Sequence, residues 1–132
     1  MKQGLKEAIL AREKAYVPYS NFKVGAAILL KNGSYIHGAN IENAAYGLCN
    51  CAERSALFSL YSQGYQKSDI LEMTVVADDH GPVSPCGACR QVMHELLPKD
   101  TPIILANIKG DTKAMTPDTL LPYAFDQSSL DL

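Results

Sequence analysis

The sequence lacks three features that mark large classes of proteins: a strong excess of either charge, a basic stripe and a long hydrophobic run. Its 132 residues carry 12 lysines and arginines against 14 aspartates and glutamates, a formal net charge of −2. A polynucleotide-binding domain is typically strongly basic or has a clear basic stripe. The longest mostly apolar run, residues 24–30, is far too short to span a bilayer. We therefore expect neither a polynucleotide partner nor a membrane span.

We expect no secretion signal in residues 1–16, because charged residues interrupt the apolar ones throughout this stretch. This absence predicts a cytoplasmic protein. The cytoplasm is reducing, so the four cysteines are better explained as metal-binding or catalytic residues than as disulfides. A chain of this length with 47% hydrophobic residues fits one domain, and we expect residues 1–132 to form a single catalytic domain.

Periodicity and turn residues predict alternating helices and strands. Asn32-Gly33 lies between two short apolar stretches and is a strong signal for a β-hairpin. The predicted helices span residues 3–16, 52–63, 86–97 and 117–121, and the predicted strands span 22–30, 34–38, 70–77, 102–106 and a return within 107–115. This order predicts an α/β fold in which helices cover both faces of a mixed, five-stranded sheet.

The cysteines have the spacing of metal ligands. Cys86 and Cys89 form a C-x-x-C pair on the first turn of a predicted helix, and Cys51 lies where a loop becomes another helix. A helix N-terminus carries partial positive charge and lowers the pKa of a thiol, so both placements favour thiolates. Three protein ligands leave the fourth position of a tetrahedral zinc site open to water, whose pKa zinc lowers towards neutrality.

Two charged residues follow Cys51 directly. Glu53 is close enough in sequence to stand beside that water and act as general base and general acid. Arg54 is a natural partner for the negative charge of zinc bound to three thiolates. The combination of C-A-E with a later P-C-G-A-C is the signature of zinc-dependent nucleobase deaminases.

The sequence resembles the homotetrameric zinc-dependent cytidine deaminase family over nearly its whole length. The matching segments are Y-V-P-Y-S-N-F-K-V-G-A-A (16–27), N-I-E-N-A-A-Y (40–46), C-A-E-R (51–54), G-P-V-S-P-C-G-A-C-R-Q-V (81–92) and L-L-P-Y-A-F (120–125). The resemblance implies a three-layer α/β/α sandwich and one Zn²⁺ per subunit. It also implies hydrolytic deamination of cytidine and 2′-deoxycytidine to uridine, or 2′-deoxyuridine, and ammonia, a reaction of pyrimidine salvage.

The resemblance also implies roles for individual residues. Cys51, Cys86 and Cys89 would hold the zinc ion, and Glu53 would shuttle protons. The implied substrate contacts are Phe22 stacking on the cytosine ring, Asn40 and Glu42 bonding the ribose hydroxyls, the backbone at Ala52 and the region of Ser84 contacting the base, and Tyr46 and Phe125 completing sites across subunit boundaries of a homotetramer.

Two alternatives remain at this point. Cys49 and Cys51 could join Cys86 and Cys89 in a closed four-cysteine structural zinc site, which would make the protein a binding module without catalysis. That arrangement gives Glu53 no purpose and needs an unusual C-x-C spacing. The other alternative is a related deaminase that acts on an analogue of a cytosine nucleoside.

Overall fold

The computed structural model describes residues 2–130, which form five helices and five strands. The five strands make a single sheet. The helices are α1 (Gln3–Arg12), α2 (Ala52–Ser62), α3 (Gly87–Leu96), α4 (Pro117–Leu120) and α5 (Gln127–Leu130), and the strands are β1 (Val24–Leu30), β2 (Tyr35–Ala39), β3 (Ile70–Ala77), β4 (Ile103–Asn107) and β5 (Thr112–Met115). None of the helices within residues 2–130 is long and apolar enough to cross a membrane.

The sheet has the strand order β2-β1-β3-β4-β5. Only β3 and β4 pair in parallel, and α3 connects them; the other neighbours are antiparallel. The antiparallel hairpin β1–β2 turns at Asn32-Gly33, where Gly33 has a φ of 88° and the Asn32 side chain accepts a hydrogen bond from the Ser34 N–H. The prediction of a mixed, five-stranded sheet is therefore confirmed.

Helices cover both faces of this sheet, as predicted for a three-layer α/β/α sandwich. On one face, Leu5 and Ala8 of α1 pack against Ala27, Val76 and Ala106 from three different strands. The other face carries the larger core, in which α2 and α3 pack side by side on the sheet. The completely buried side chains of that core include Ile28, Leu57, Leu60, Met73, Val75 and Met93.

The first predicted helix, 3–16, is wrong beyond Arg12. Its last residues instead make a bridge with the segment after β2: the Tyr16 N–H donates to the Asn40 carbonyl, and the Glu42 N–H donates to the Tyr16 carbonyl. Helical periodicity continues through this stretch, but the backbone cannot serve both a helix and a bridge. Tertiary pairing therefore overrides the local pattern.

Other boundaries differ by smaller amounts. The first strand begins at Val24 rather than at residue 22, and the return strand covers only Thr112–Met115. Residues 107–111, which were predicted to begin the return strand, form a tight turn instead. In this turn the buried Asn107 side chain donates to the Asp111 carboxylate at 2.8 Å. Short 3-10 turns at Tyr46–Leu48 and Lys67–Asp69, together with α5, were not predicted.

Gly38 of β2 sets how closely α2 approaches the sheet. A Cβ atom at this position would lie 2.4 Å from the backbone nitrogen of Ala56 and 2.5 Å from the carbonyl oxygen of Ala52. Both neighbours are backbone atoms of the first turns of α2, so they cannot rotate away. The missing side chain of Gly38 therefore fixes the position of the helix that begins beside Cys51.

We expect Gly38→Ala to lower the free energy of unfolding by about 1–3 kcal/mol, because the added methyl group overpacks the contact with α2. Gly81→Ala is the matched control, since a Cβ at Gly81 meets no atom within 4 Å. Urea denaturation should show a lower midpoint for the first variant and an unchanged or higher midpoint for the control. Equal midpoints for the two variants would contradict the close approach.

Candidate metal centre and active site

Three cysteine sulfurs meet where the N-termini of α2 and α3 converge. Cys51 is the N-cap residue of α2 and Cys86 is the N-cap residue of α3, while Cys89 lies within the first turn of α3. Their sulfur atoms all lie within 4.8 Å of one another, and those of Cys51 and Cys86 are 3.9 Å apart. The structure therefore brings together the three residues that the sequence predicts as metal ligands.

This donor set fits a zinc ion. Thiolates about 2.3 Å from a tetrahedral zinc ion are about 3.8 Å from one another, which is close to the observed sulfur separation. Cys89 is buried and Cys51 is half-buried, whereas Cys86 is exposed, so the cluster is open on one side. An open side is what distinguishes a catalytic zinc site from a closed structural one.

The electrostatic surroundings favour thiolates. Arg54 Nη2 donates to the Cys51 sulfur at 3.3 Å, and the Cys89 N–H donates to the Cys86 sulfur at 3.5 Å. Hydrogen bonding with Cys89, helped by Arg54, lowers the pKa of the Cys51 thiol to about 5. The same interaction with Cys51 raises the pKa of the Cys89 thiol. Arg54 thus lies where the sequence predicts a charge-balancing residue.

Glu53 is buried in the first turn of α2, with only 5% of its surface exposed. Burial is the main cause of its raised pKa, and the neighbouring charge of Cys51 acts in the same direction. A carboxyl group in such surroundings holds a proton more readily than an exposed one. This is the property that a group needs if it is to accept and return protons near neutral pH.

Cys49 lies outside the cluster of sulfurs. Its sulfur accepts a hydrogen bond from the Asn43 N–H at 3.3 Å, within the loop between β2 and α2. Among residues 2–130, the groups that could hold a metal ion reduce to Cys51, Cys86 and Cys89. This geometry does not support the closed four-cysteine alternative, in which the Cys49 sulfur would complete the tetrahedron.

Glu42 lines a depression beside the loop that carries Cys49. One carboxylate oxygen accepts from the N–H groups of Tyr19 and Ser20 at 3.0 and 3.1 Å, and the other accepts from the Ser20 hydroxyl. The Ser20 hydroxyl is the main cause of the lowered pKa of Glu42. Tyr46 and Cys49 complete the lining of this depression of about 260 Å³.

Asn40 and Phe22 are joined at the start of β1. The Asn40 side chain donates to the Phe22 carbonyl at 2.8 Å and accepts from the Val24 N–H at 2.8 Å. It therefore ties the end of β2 to the entrance of β1. The Phe22 side chain remains exposed, as an aromatic ring that stacks on a ligand must be.

The remaining predicted substrate contacts lie around α3 and at the start of α2. Ser84 is exposed, and its hydroxyl accepts from Arg90 Nη2 at 2.8 Å. Phe125 is exposed beyond α4, and its carbonyl accepts from Gln91 Nε2 at 2.9 Å. Ala52 is buried as the first residue of α2. Within residues 2–130, no hydrogen bond joins Phe125 to the cysteine cluster.

Sequence reasoning missed two residues that organise this region. Ser20 holds Glu42 through two hydrogen bonds and accepts a third from the Phe22 N–H. Arg90 binds the carbonyls of Pro85 and Leu120 as well as the Ser84 hydroxyl. Both residues lie within the segments that carry the family resemblance, and that resemblance is the feature of the sequence that could have identified them. Their partners are distant or unpatterned in sequence, so spacing alone could not identify them.

Comparison with a family model supports the interpretation of the three cysteines as a zinc site. Residues 1–105 match the model described as the cytidine and deoxycytidylate deaminase zinc-binding region. The chain is 59% identical over 127 residues to a cytidine deaminase of Halalkalibacterium halodurans, covering 96% of this chain and 95% of the relative. It is 52% identical over 126 residues to a cytidine deaminase of Sporosarcina psychrophila, covering 96% and 91% of the two chains.

A solved structure shows the same architecture. The crystal structure of cytidine deaminase from Burkholderia pseudomallei superposes with a TM-score of 0.90 at 51% sequence identity, covering 95% of this chain and 100% of the other. Fold, cysteine cluster and sequence similarity thus agree over almost the entire length. We conclude that this chain belongs to the zinc-dependent cytidine deaminase family.

Proposed function

We propose that this protein catalyses the hydrolytic deamination of cytidine and 2′-deoxycytidine, which yields uridine or 2′-deoxyuridine and ammonia and serves pyrimidine salvage. The observation that carries the proposal is the open cluster of Cys51, Cys86 and Cys89 beside the buried carboxyl group of Glu53. The family membership of the chain supplies the substrate class.

The residues divide the chemistry between metal binding and proton transfer. Cys51, Cys86 and Cys89 would hold a zinc ion, which would supply Lewis-acid activation of the attacking water. Glu53 accepts the proton that the water loses as its oxygen attacks C4 of cytosine. Glu53 delivers this proton to N3. It then takes the second proton of the water from the hydroxyl group now on C4 and passes it to the amino group, which leaves as ammonia while the C4 carbonyl forms, so that one water is consumed and one ammonia is released. Arg54 offsets the negative charge of the thiolates through its bond to Cys51.

The substrate contacts follow, position by position, from the resemblance to the family. We assign Phe22 to stacking on the cytosine ring, and the polar groups of Asn40 and Glu42 to the ribose hydroxyls. Glu42 suits this role because its lowered pKa keeps it an acceptor, in a depression of about 260 Å³. The backbone at Ala52 and the region of Ser84 contact the base in this proposal.

Two exposed aromatic residues support a homotetramer whose sites are completed across subunits. Tyr46 is 75% exposed and Phe125 is 59% exposed, so both side chains are available for contact with a neighbouring subunit. The Tyr46 ring packs edge-on against the exposed Tyr19 ring, with centroids 6.0 Å apart, and Ile41 and Leu48 in the same loop region are also exposed. We assign Tyr46 and Phe125 to the substrate sites of this assembly.

Four free cysteines suit a cytoplasmic location, and we assign residues 1–132 to one catalytic domain.

We expect Glu53→Gln to keep one zinc ion per chain and to lose about 10²–10⁴-fold in turnover, because an amide cannot carry protons between water and base. The fall in absorbance of cytidine and of 2′-deoxycytidine measures the rate, and elemental analysis of the same sample measures zinc. A zinc-loaded wild-type protein that leaves both nucleosides unchanged would contradict the proposed function. A Glu53→Gln variant with wild-type turnover would contradict only the proton-shuttle role.

The ligand assignment predicts opposite outcomes for two cysteines. Cys86→Ala should lose most of its zinc at equal free zinc concentration, because two thiolates and water bind the ion more weakly. Cys49→Ala is the matched control and should keep one zinc ion per chain. Zinc measured after dialysis against a weak chelator separates the two variants. Loss of zinc from the Cys49 variant would restore the four-cysteine alternative.

The proposed assembly predicts that the protein elutes as a tetramer and that Leu48→Glu dissociates it, because a buried unpaired carboxylate is costly at an apolar interface. Leu10→Glu is the control, since Leu10 is similarly exposed but lies on α1, on the opposite face of the sheet. Light scattering on a sizing column gives the mass of each variant. An active wild-type monomer would contradict sites shared between subunits.

A further inference from the structure

The C-terminal segment, residues 121–130, presents Phe125 and lies against α3. Gln91 Nε2 donates to the Phe125 carbonyl, and Arg90 Nη1 donates to the Leu120 carbonyl just before the segment. Tyr123 and most other side chains of the segment are exposed, so its apolar anchoring is slight. The position of Phe125 therefore depends on polar contacts with α3.

His94 lies between two carboxylates that flank Phe125 in sequence. Its Nδ1 atom is 3.9 Å from an oxygen of Asp118 in α4, and its Nε2 atom is 3.8 Å from an oxygen of Asp126 in the C-terminal segment. The imidazole side chain is only 17% exposed. Its buried Nδ1 atom makes no hydrogen bond within residues 2–130, so the attraction between ring and carboxylates is mainly one of charge.

The other charged groups around the ring are Lys67, Glu95 and Lys99, which line the shallow depressions on either side of it. The two carboxylates are the groups within ion-pair distance of the ring. The pKa of Asp126 is lowered, mainly by hydrogen bonds from Ser128 and further by His94. Asp126 therefore remains anionic over the range of pH 5–8, in which imidazole groups ordinarily change charge.

We propose that His94 is a positioning residue of the deaminase, which in its protonated form bridges Asp118 and Asp126 and thereby holds the segment that presents Phe125. Loss of the proton removes the attraction to both carboxylates and loosens the segment. The inference rests on the proposed function, in which Phe125 contacts the substrate. Because Phe125 binds the substrate and takes no part in proton transfer, loosening the segment raises KM and leaves kcat nearly unchanged.

The test is the pH dependence of KM for cytidine between pH 6 and 8.5. In the wild-type protein we expect KM to rise about three- to tenfold as the pH increases, the range that two weak ion pairs produce. His94→Gln should show a high KM that does not vary with pH. His94→Lys keeps a positive charge over the whole range and should show a low KM that does not vary with pH. His80→Gln, at an exposed histidine, is the matched control and should follow the wild-type profile.

A second measurement does not depend on activity. The chain contains no tryptophan, so Tyr123→Trp places a single fluorophore in the C-terminal segment. Its fluorescence anisotropy should fall as the pH rises from 6 to 8.5, and the fall should disappear when His94→Gln is added. The same pH response with and without His94 would overturn the inference. A protein that does not deaminate cytidine would refute the proposed function, while the anisotropy would still report on the bridge.

Discussion

The active site depends on the convergence of two helix N-termini on one point. Three sulfur atoms within 4.8 Å of one another repel each other once they are ionised, so the fold must offset their charge. The helix dipoles of α2 and α3, the guanidinium of Arg54 and the metal ion all supply positive charge there. Capping residues usually carry hydroxyl or carboxyl groups; here Cys51 and Cys86 take those positions and direct their sulfurs to the same place.

The sheet explains why the two helices meet. The crossover between the parallel strands β3 and β4 carries α3 onto the face that α2 already covers. The position of α2 is in turn fixed by its backbone contact with Gly38 of β2. The metal centre is therefore built on rigid elements of the large core. Precise ligand placement of this kind is what a catalytic zinc site needs.

The outer half of the site is built differently. The proposed substrate contacts lie on exposed loops and on the C-terminal segment, which are held by polar contacts such as those of Ser20 with Glu42 and of Gln91 with Phe125. Such contacts order a surface without burying it. The metal ligands are thus anchored in the large core, whereas the proposed substrate contacts are held at the surface by polar groups.

Features with a local cause could be predicted from the amino-acid sequence alone. The turn at Asn32-Gly33, the limits of β3, the spacing of Cys86 and Cys89 and the place of Glu53 after Cys51 all depend on residues near one another in the chain. Packing in three dimensions decided that the first helix ends at Arg12 and Tyr16 joins a bridge, that Cys49 stays apart from the other sulfurs, and that His94 faces two carboxylates. Periodicity indicates which residues, close in sequence, share one face of a helix or strand. The arrangements of Tyr16, Cys49 and His94 arise from packing between different segments, which periodicity does not report.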